Sequence, residues 1–218
     1  MCGRFSFTSV RDEVENRFGV FIDRDEYTPR YNCAPSQKLA VISNGSPEKL
    51  SYFRWGLIPF WAKDISIGNK MINARAETIN EKPSFKTSFR RRRCLVLSDG
   101  FYEWEKSGKE KLPYRILRKD DNMFAMAGLW ETWKDAEEKE IHSFTIVTTS
   151  ANSLVGELHN RMPVILMPED EKLWLSEYDE KKHLDLLKPF PSELITMYRV
   201  SKLVNSPVNE SEEVIKPL

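Results

Sequence analysis

The chain opens Met1-Cys2-Gly3-Arg4-Phe5, and its second residue carries the most chemistry. Met1 is expected to be removed, because the side chain that follows it is small. That would leave a thiol and a free α-amine on adjacent carbons of Cys2. A 1,2-aminothiol closes a five-membered thiazolidine ring on an aldehyde, which an internal cysteine cannot do. A reference α-amine of pKa ~7.7 is about one-sixth free base at pH 7, whereas a lysine amine of pKa ~10.4 is only ~0.04% free, a difference of roughly 400-fold. A free thiol of pKa ~8.5 is expected to be a few per cent thiolate at that pH, enough for a nucleophile. Position 2 alone equally suits a cysteine with no role, so the reading needs support from elsewhere in the chain.

Five further stretches carry functional side chains. Met71 to Thr78 packs Asn73, Arg75 and Glu77 at alternate positions, so an extended backbone places all three on one face. Arg75 there suits a phosphate or carboxylate, or else a solvated strand face. In Ser98 to Glu105, Glu103 lies between Tyr102 and Trp104. Either aromatic neighbours desolvate it and raise its pKa into general acid–base range, or Glu103 and Glu105 both face water. Gly156 to Val164 holds His159 two residues before Arg161, a proton-transfer group beside an anion-binding one. A lone histidine is more often structural. Phe53 to Lys63 clusters Trp55 and Trp61 with Arg54 and Lys63, as a stacking platform for bases or as core. The run Arg90 to Arg93 reads as a solvated edge or a phosphate-binding rim, and no site is assigned to it.

The elements that must position these residues are mostly strands. Strands are expected at Leu39–Ser43 and Leu50–Trp55 around an Asn44-Gly45 turn, at Cys94–Ser98, and at Phe101–Glu105 before a Ser107-Gly108-Lys109 turn. More are expected at Tyr114–Arg118, Met123–Ala127, His142–Thr149, Met162–Met167 and Tyr198–Ser201. Helices are expected over residues 9–18 (capped by Ser9, stopped by Gly19), 152–158, 168–176 and 180–188. Strands dominate and helices are peripheral, so the class is α+β.

The chain has 218 residues, 40% of them hydrophobic, which suits one compact domain over residues 1–218. With 33 basic and 33 acidic residues the formal net charge is zero, so nucleic-acid binding must rest on a local patch. Cys2, Cys33 and Cys94 make no disulfide framework, and no spacing resembles a zinc site; no metal or cofactor is expected. The chain shows no signal run and no membrane span, and reads as a cytoplasmic, reduced monomer.

Together and in order, the motifs resemble the SRAP family (SOS response-associated peptidase), the abasic-site processing proteins. The matching stretches are Met1-Cys2-Gly3-Arg4-Phe5, Tyr31-Asn32-Cys33-Ala34-Pro35, Trp55-Gly56-Leu57-Ile58-Pro59, Asn73-Ala74-Arg75-Ala76-Glu77-Thr78, Asp99-Gly100-Phe101-Tyr102-Glu103-Trp104, His159-Asn160-Arg161-Met162-Pro163-Val164 and Val204-Asn205-Ser206-Pro207. Cys33 stands where the family usually has Val. The resemblance implies a curved, barrel-like, mostly antiparallel β core. It implies covalent capture of abasic sites in single-stranded DNA, including single strand/duplex junctions, in the DNA damage response and at the nucleoid when DNA is bound. It carries the crosslink to Cys2 and the other active-site roles to Asn73, Glu103 and His159. It carries phosphate contacts to Arg4, Arg75 and Arg161, and junction contacts to Pro35 and Trp61. Self-processing peptidase and lyase activities are further implications. Two other classes remain open: an N-terminal-nucleophile cysteine hydrolase, and a non-covalent single-strand binder built on Trp55–Trp61.

Overall fold

β-branched and aromatic runs between turn residues become twelve strands among the described residues of a computed structural model, which are 2–23, 27–108 and 110–218. Met1, whose removal the sequence predicts, and Lys109 of the expected turn lie outside them. The strands are β1 (Phe5–Phe7), β2 (Arg30–Cys33), β3 (Lys38–Ser43), β4 (Ser46–Trp55), β5 (Asn73–Arg75), β6 (Arg93–Ser98), β7 (Gly100–Ser107), β8 (Glu110–Arg118), β9 (Phe124–Lys134), β10 (Glu140–Ser150), β11 (Arg161–Pro163) and β12 (Ile195–Arg199). Four α-helices accompany them: α1 (Arg11–Phe18), α2 (Pro83–Arg91), α3 (Glu171–Leu175) and α4 (Glu180–Asp185).

β10, β4, β3, β6 and β9 pair in that order, and β9 pairs back to β10, closing a five-stranded barrel. Its pairings are antiparallel except β4 with β10. Short strands extend β10 beyond the barrel: β5 runs parallel to it and β11 antiparallel. A second sheet, ordered β12-β8-β7-β1-β2, is antiparallel throughout. This is the α+β class with a mostly antiparallel, barrel-like core expected from the sequence.

Period-two alternation divides the barrel side chains between two apolar clusters. Leu95, Leu97, Ala125, Ala127 and Val147 pack with Val14, Phe89, Trp174 and Leu187 of the helical segments. Val96, Met126, Phe144 and Ile146 pack instead with Cys2 and with Phe5, Phe101, Ile116 and Ile195 from the second sheet. The packing is tight where β6 meets β9. A Cβ on Gly128 would lie 2.7 Å from the Cys94 sulfur and 2.8 Å from Val96, so only glycine fits.

Several expectations change. α1 starts one residue late, with Val10 at the cap and no side-chain cap bond, because Ser9 is held through its carbonyl by the Tyr27 hydroxyl. Gly19 ends it in the left-handed conformation, as expected. The helix expected at 152–158 is a single 3-10 turn, Val155–Glu157, and the strand at 162–167 shortens to β11. α2 is absent from the sequence reading, and it absorbs the front of the arginine run. Arg90 and Arg91 close its last turn, and Arg92 pairs with the buried Glu131. Arg93 is 1% exposed. Its guanidinium donates to the carbonyls of Trp174, Phe89 and Arg90 at 2.8 Å and to that of Ser176 at 2.5 Å, tying α2 and α3 to β6. Arg92 and Arg93 are therefore neither a solvated edge nor a phosphate rim.

Arg93→Met leaves those buried carbonyls without donors. It should cost about 3 kcal/mol, or a melting temperature lower by about 6–12 °C for a chain of this size. A thermal melt within about 2 °C of the parent would contradict this role.

Candidate active site

β1 is fixed to β7 with Phe5 opposite Phe101 and Ser6 opposite Gly100, and Tyr102 N–H donates to the Arg4 carbonyl at 2.9 Å. Carried two residues toward the N-terminus, this register sets Gly3 across from Glu103. Cys2 is fully buried at the end of that run. Asn73, the first residue of β5, donates its side-chain N–H to the Cys2 carbonyl at 2.9 Å. Parallel pairing of Asn73 with Ile146 of β10 fixes where that amide comes from.

The register of β1 has a dedicated support. The Asp99 carboxylate accepts the Ser6 hydroxyl at 2.6 Å, the Thr8 hydroxyl at 2.7 Å and the Thr8 N–H, and pairs with Arg115 at 2.9 Å. Gly100 makes room for this, since a Cβ there would lie 2.7 Å from Arg115 Nε. Arg115 also donates to the Tyr198 hydroxyl of β12 at 2.9 Å.

Burial decides the electrostatics of the site. It pushes the Cys2 thiol up to about 12, with the negative charge of Glu103 adding to the rise. The thiolate fraction expected of a free thiol is thus overturned: this thiol is protonated at neutral pH. Glu103 is 3% exposed, and burial holds its carboxyl above the usual glutamate range. Of the two readings open in the sequence, the desolvated carboxylate is the one found. Glu105 is half-buried and accepts the Tyr114 hydroxyl at 3.2 Å.

His159 is half-buried, and burial lowers its pKa. Its Nδ1 accepts the Arg161 N–H at 3.0 Å, which assigns the proton of the neutral ring to Nε2. Glu103 and His159 line one cleft of about 440 Å³, together with Trp104, Lys106, Lys111 and Asn205. The other two histidines are elsewhere: His183 is buried against Trp174 and Phe89, and His142 packs on Phe53 and Trp130. Among the described residues no group of three His, Cys, Asp or Glu is placed to hold a metal ion.

The residues with expected DNA contacts fall in different environments. β10 gathers two of them, since Thr148 lies opposite both Arg75 of β5 and Pro163 of β11. Arg75 is exposed, with no hydrogen-bond partner for its guanidinium among the described residues. Arg161 grips both oxygens of Glu77, with one contact at 2.9 Å, and donates to the Thr148 carbonyl at 2.6 Å. Arg4 commits Nη1 to Asn32 at 2.7 Å and to the Val204 carbonyl at 2.8 Å. Pro35 is half-buried in the β2–β3 loop. Trp61 is 48% exposed beside Phe60, whereas Trp55 is fully buried and stacks on Phe144. The Trp55–Trp61 stretch therefore splits into one core residue and one surface residue. A close approach shapes the loop between them. Gly56 has φ of 116°, and a Cβ on it would lie 2.5 Å from the Gly68 carbonyl.

The model of the SRAP family, described as SOS response associated peptidase, matches residues 1–207. The chain belongs to the SRAP family. Among its relatives, a protein of Bacillus subtilis (strain 168) named abasic site processing protein YoqW is 47% identical, with 99% of each chain covered. The abasic site processing protein HMCES of Xenopus tropicalis is 31% identical over 98% of this chain and 77% of its own length. A crystal structure of a Bacteroides thetaiotaomicron protein superposes with a TM-score of 0.92 at 32% identity, covering all of both chains.

Sequence reasoning assigned no role to Asp99, Arg115, Lys106, Lys111 or Asn205. A hairpin turn at Gly108 was legible, and it alone would have paired Lys106 with Lys111. The raised carboxyl of Glu103 makes a stability prediction with a definite sign. Below the ordinary glutamate pKa, Glu103 is protonated in folded and unfolded chains alike. As pH rises the unfolded carboxyl ionises first, so stability falls until pH passes the folded pKa. Glu103→Gln should therefore melt higher than the parent at pH 7, and the gap should close by about pH 4. Equal melting temperatures at both pH values would contradict a desolvated Glu103.

Proposed function

We propose that this SRAP protein captures abasic sites in single-stranded DNA as a covalent crosslink on Cys2 and so shields the lesion. The observation that carries the reading is a buried carboxylate, Glu103, within electrostatic reach of the N-terminal cysteine and sharing a cleft with His159. The names of the relatives, abasic site processing proteins, support it. So does the chemistry of the lesion, because an abasic deoxyribose opens to an aldehyde at C1′.

The steps balance as follows. Removal of Met1 frees the Cys2 α-amine. The amine adds to C1′ to give a carbinolamine, which loses its hydroxyl as water to give an imine. The thiol then adds across the C=N bond: sulfur bonds C1′ and its proton passes to nitrogen, closing the thiazolidine. One water leaves in all. Burial raises the Cys2 thiol and disfavours its prior ionisation, so ring closure draws on a base beside it. Glu103 fills that role, moving protons from the attacking amine to the departing hydroxyl and from sulfur to nitrogen. His159 opens the sugar by proton transfer at the ring oxygen. Asn73 holds the Cys2 carbonyl and with it the direction of attack.

Arg75 is exposed for a phosphate. Arg161 takes one by exchanging the Glu77 carboxylate, and Arg4 contributes only the guanidinium nitrogens not spent on Asn32 and Val204. Trp61, with Pro35, stacks where single strand meets duplex. The family description as a peptidase supports a compatible preceding step, hydrolysis of the Met1–Cys2 bond by the chain itself. β-Elimination from the imine is a branch of the same path, and ring closure by the thiol competes with it.

Intact-protein mass spectrometry after mixing with a single-stranded oligonucleotide carrying one abasic site tests this. The expected species lacks Met1 and is heavier by the oligonucleotide mass less one water. Cys2→Ser should give no heat-stable adduct, and Glu103→Gln should slow adduct formation by about 100-fold or more. A heat-stable adduct on Cys2→Ser would sink the proposal. Turnover of an amide without any adduct would favour a hydrolase.

A further inference from the structure

The cleft holds two cations that the capture chemistry does not use. β7 and β8 form a hairpin in which Lys106 pairs directly with Lys111. Cross-strand partners share a face, and like charges placed opposite one another destabilise a sheet. Both lysines are exposed, and both line the same cleft as Glu103 and His159. Neither has an acidic partner among the described residues. The other acids of the hairpin are engaged: Glu105 accepts the Tyr114 hydroxyl, and Glu110 pairs with Lys202 at 3.2 Å. The positive charge of Lys106, added to the larger effect of burial, helps lower the His159 pKa, which places that ammonium near the reacting groups.

The wall behind the lysines is fixed. Trp104 donates its indole N–H to the Asn205 side chain at 2.8 Å, and the segment that carries Asn205 is itself held by Arg4 and Asn32 through the Val204 and Ser206 carbonyls. Two unneutralised ammonium groups on a rigid wall, facing each other at the mouth of a cleft, form a site for an anion that bridges them.

We propose that Lys106 and Lys111 clamp backbone phosphates of the DNA strand next to the abasic nucleotide, so that the strand leaves the site over the β7–β8 hairpin. This rests on the proposed capture of single-stranded DNA and adds the path of the strand to it. Arg75 and Arg161 stand at the end of β10, and the lysines stand on a different sheet. The two sets hold the strand on either side of the reacting sugar.

The experiment is the salt dependence of equilibrium binding to a single-stranded oligonucleotide carrying one tetrahydrofuran residue, an abasic analogue with no aldehyde. On single strands the slope of log K against log salt falls by about 0.7 for each phosphate contact removed. Lys106→Gln/Lys111→Gln should therefore lower the slope by about 1.4, and Lys106→Arg/Lys111→Arg should restore it. Lys188→Gln combined with Lys181→Gln, which removes two exposed charges elsewhere, serves as the control for net charge. The hairpin Gln pair should melt no lower than the parent, because facing like charges are relieved. An unchanged slope in the hairpin Gln pair, or an equal fall in the Lys181 and Lys188 control, overturns the proposal and leaves the lysines as guards of a strand edge. The adduct of the parent with a true abasic oligonucleotide is measured alongside. Its failure counts against capture on Cys2, whereas the slope counts only for or against the clamp.

Discussion

A strand of three residues cannot by its own ladder fix the first residues of a chain, and here the Asp99 carboxylate supplies the rest. It is 8% exposed and gathers Ser6, Thr8 and Arg115 around its two oxygens. A buried ion pair offsets its desolvation cost only when its remaining hydrogen-bonding capacity is filled, and this one is filled from three strands or their flanks. Arg115 passes the network to Tyr198 of β12, and Tyr198 donates to the Ile215 carbonyl near the C-terminus. One carboxylate thus couples β1 to β7, β8 and β12. The residue at stake is Cys2, three positions before β1. A slip of one residue in β1 would turn every side chain of the strand to the other face.

The same burial that fixes the cysteine also quiets it. A thiol held near 12 is protonated at neutral pH, and this one is also shielded from solvent. Its reactivity then depends on a neighbour that can accept a proton. Glu103 is desolvated by the same packing, between the barrel and the second sheet, which raises its own proton affinity. Burial thus shifts both groups the same way, and Glu103 also lines the cleft that His159 shares. Zero net charge is consistent with such a site. The proposed DNA contacts would rest on cations of local features: the ends of β5 and β11 and the tip of one hairpin.

Much of the fold was legible because its signals are local. The Asn44-Gly45 turn, the alternation along β10, the stop at Gly19 and the run of β6 each depend on a few neighbouring residues. The motif stretches at Cys2, Asn73, Glu103 and His159 could also be picked out. Alternation states that Glu103 and Trp104 point to opposite faces, yet it cannot say which face another sheet will cover. The arginine run misled for the same reason. Four like charges in sequence resemble a solvated edge, but Arg93 is buried because four carbonyls from α2 and the α3 region converge on it.

By itself the sequence determined what is covalent or periodic. It placed a thiol next to an α-amine once Met1 is removed, because those atoms share one residue, and it set the order of strands and turns. Tertiary structure alone decided the protonation of Cys2, the desolvation of Glu103, the Arg161–Glu77 pair across 84 residues and the facing of Lys106 and Lys111 into the cleft of His159. Those are properties of solvent exclusion and of distance between charges. Both are sums over atoms that are far apart in the chain, and only the folded packing brings them within range.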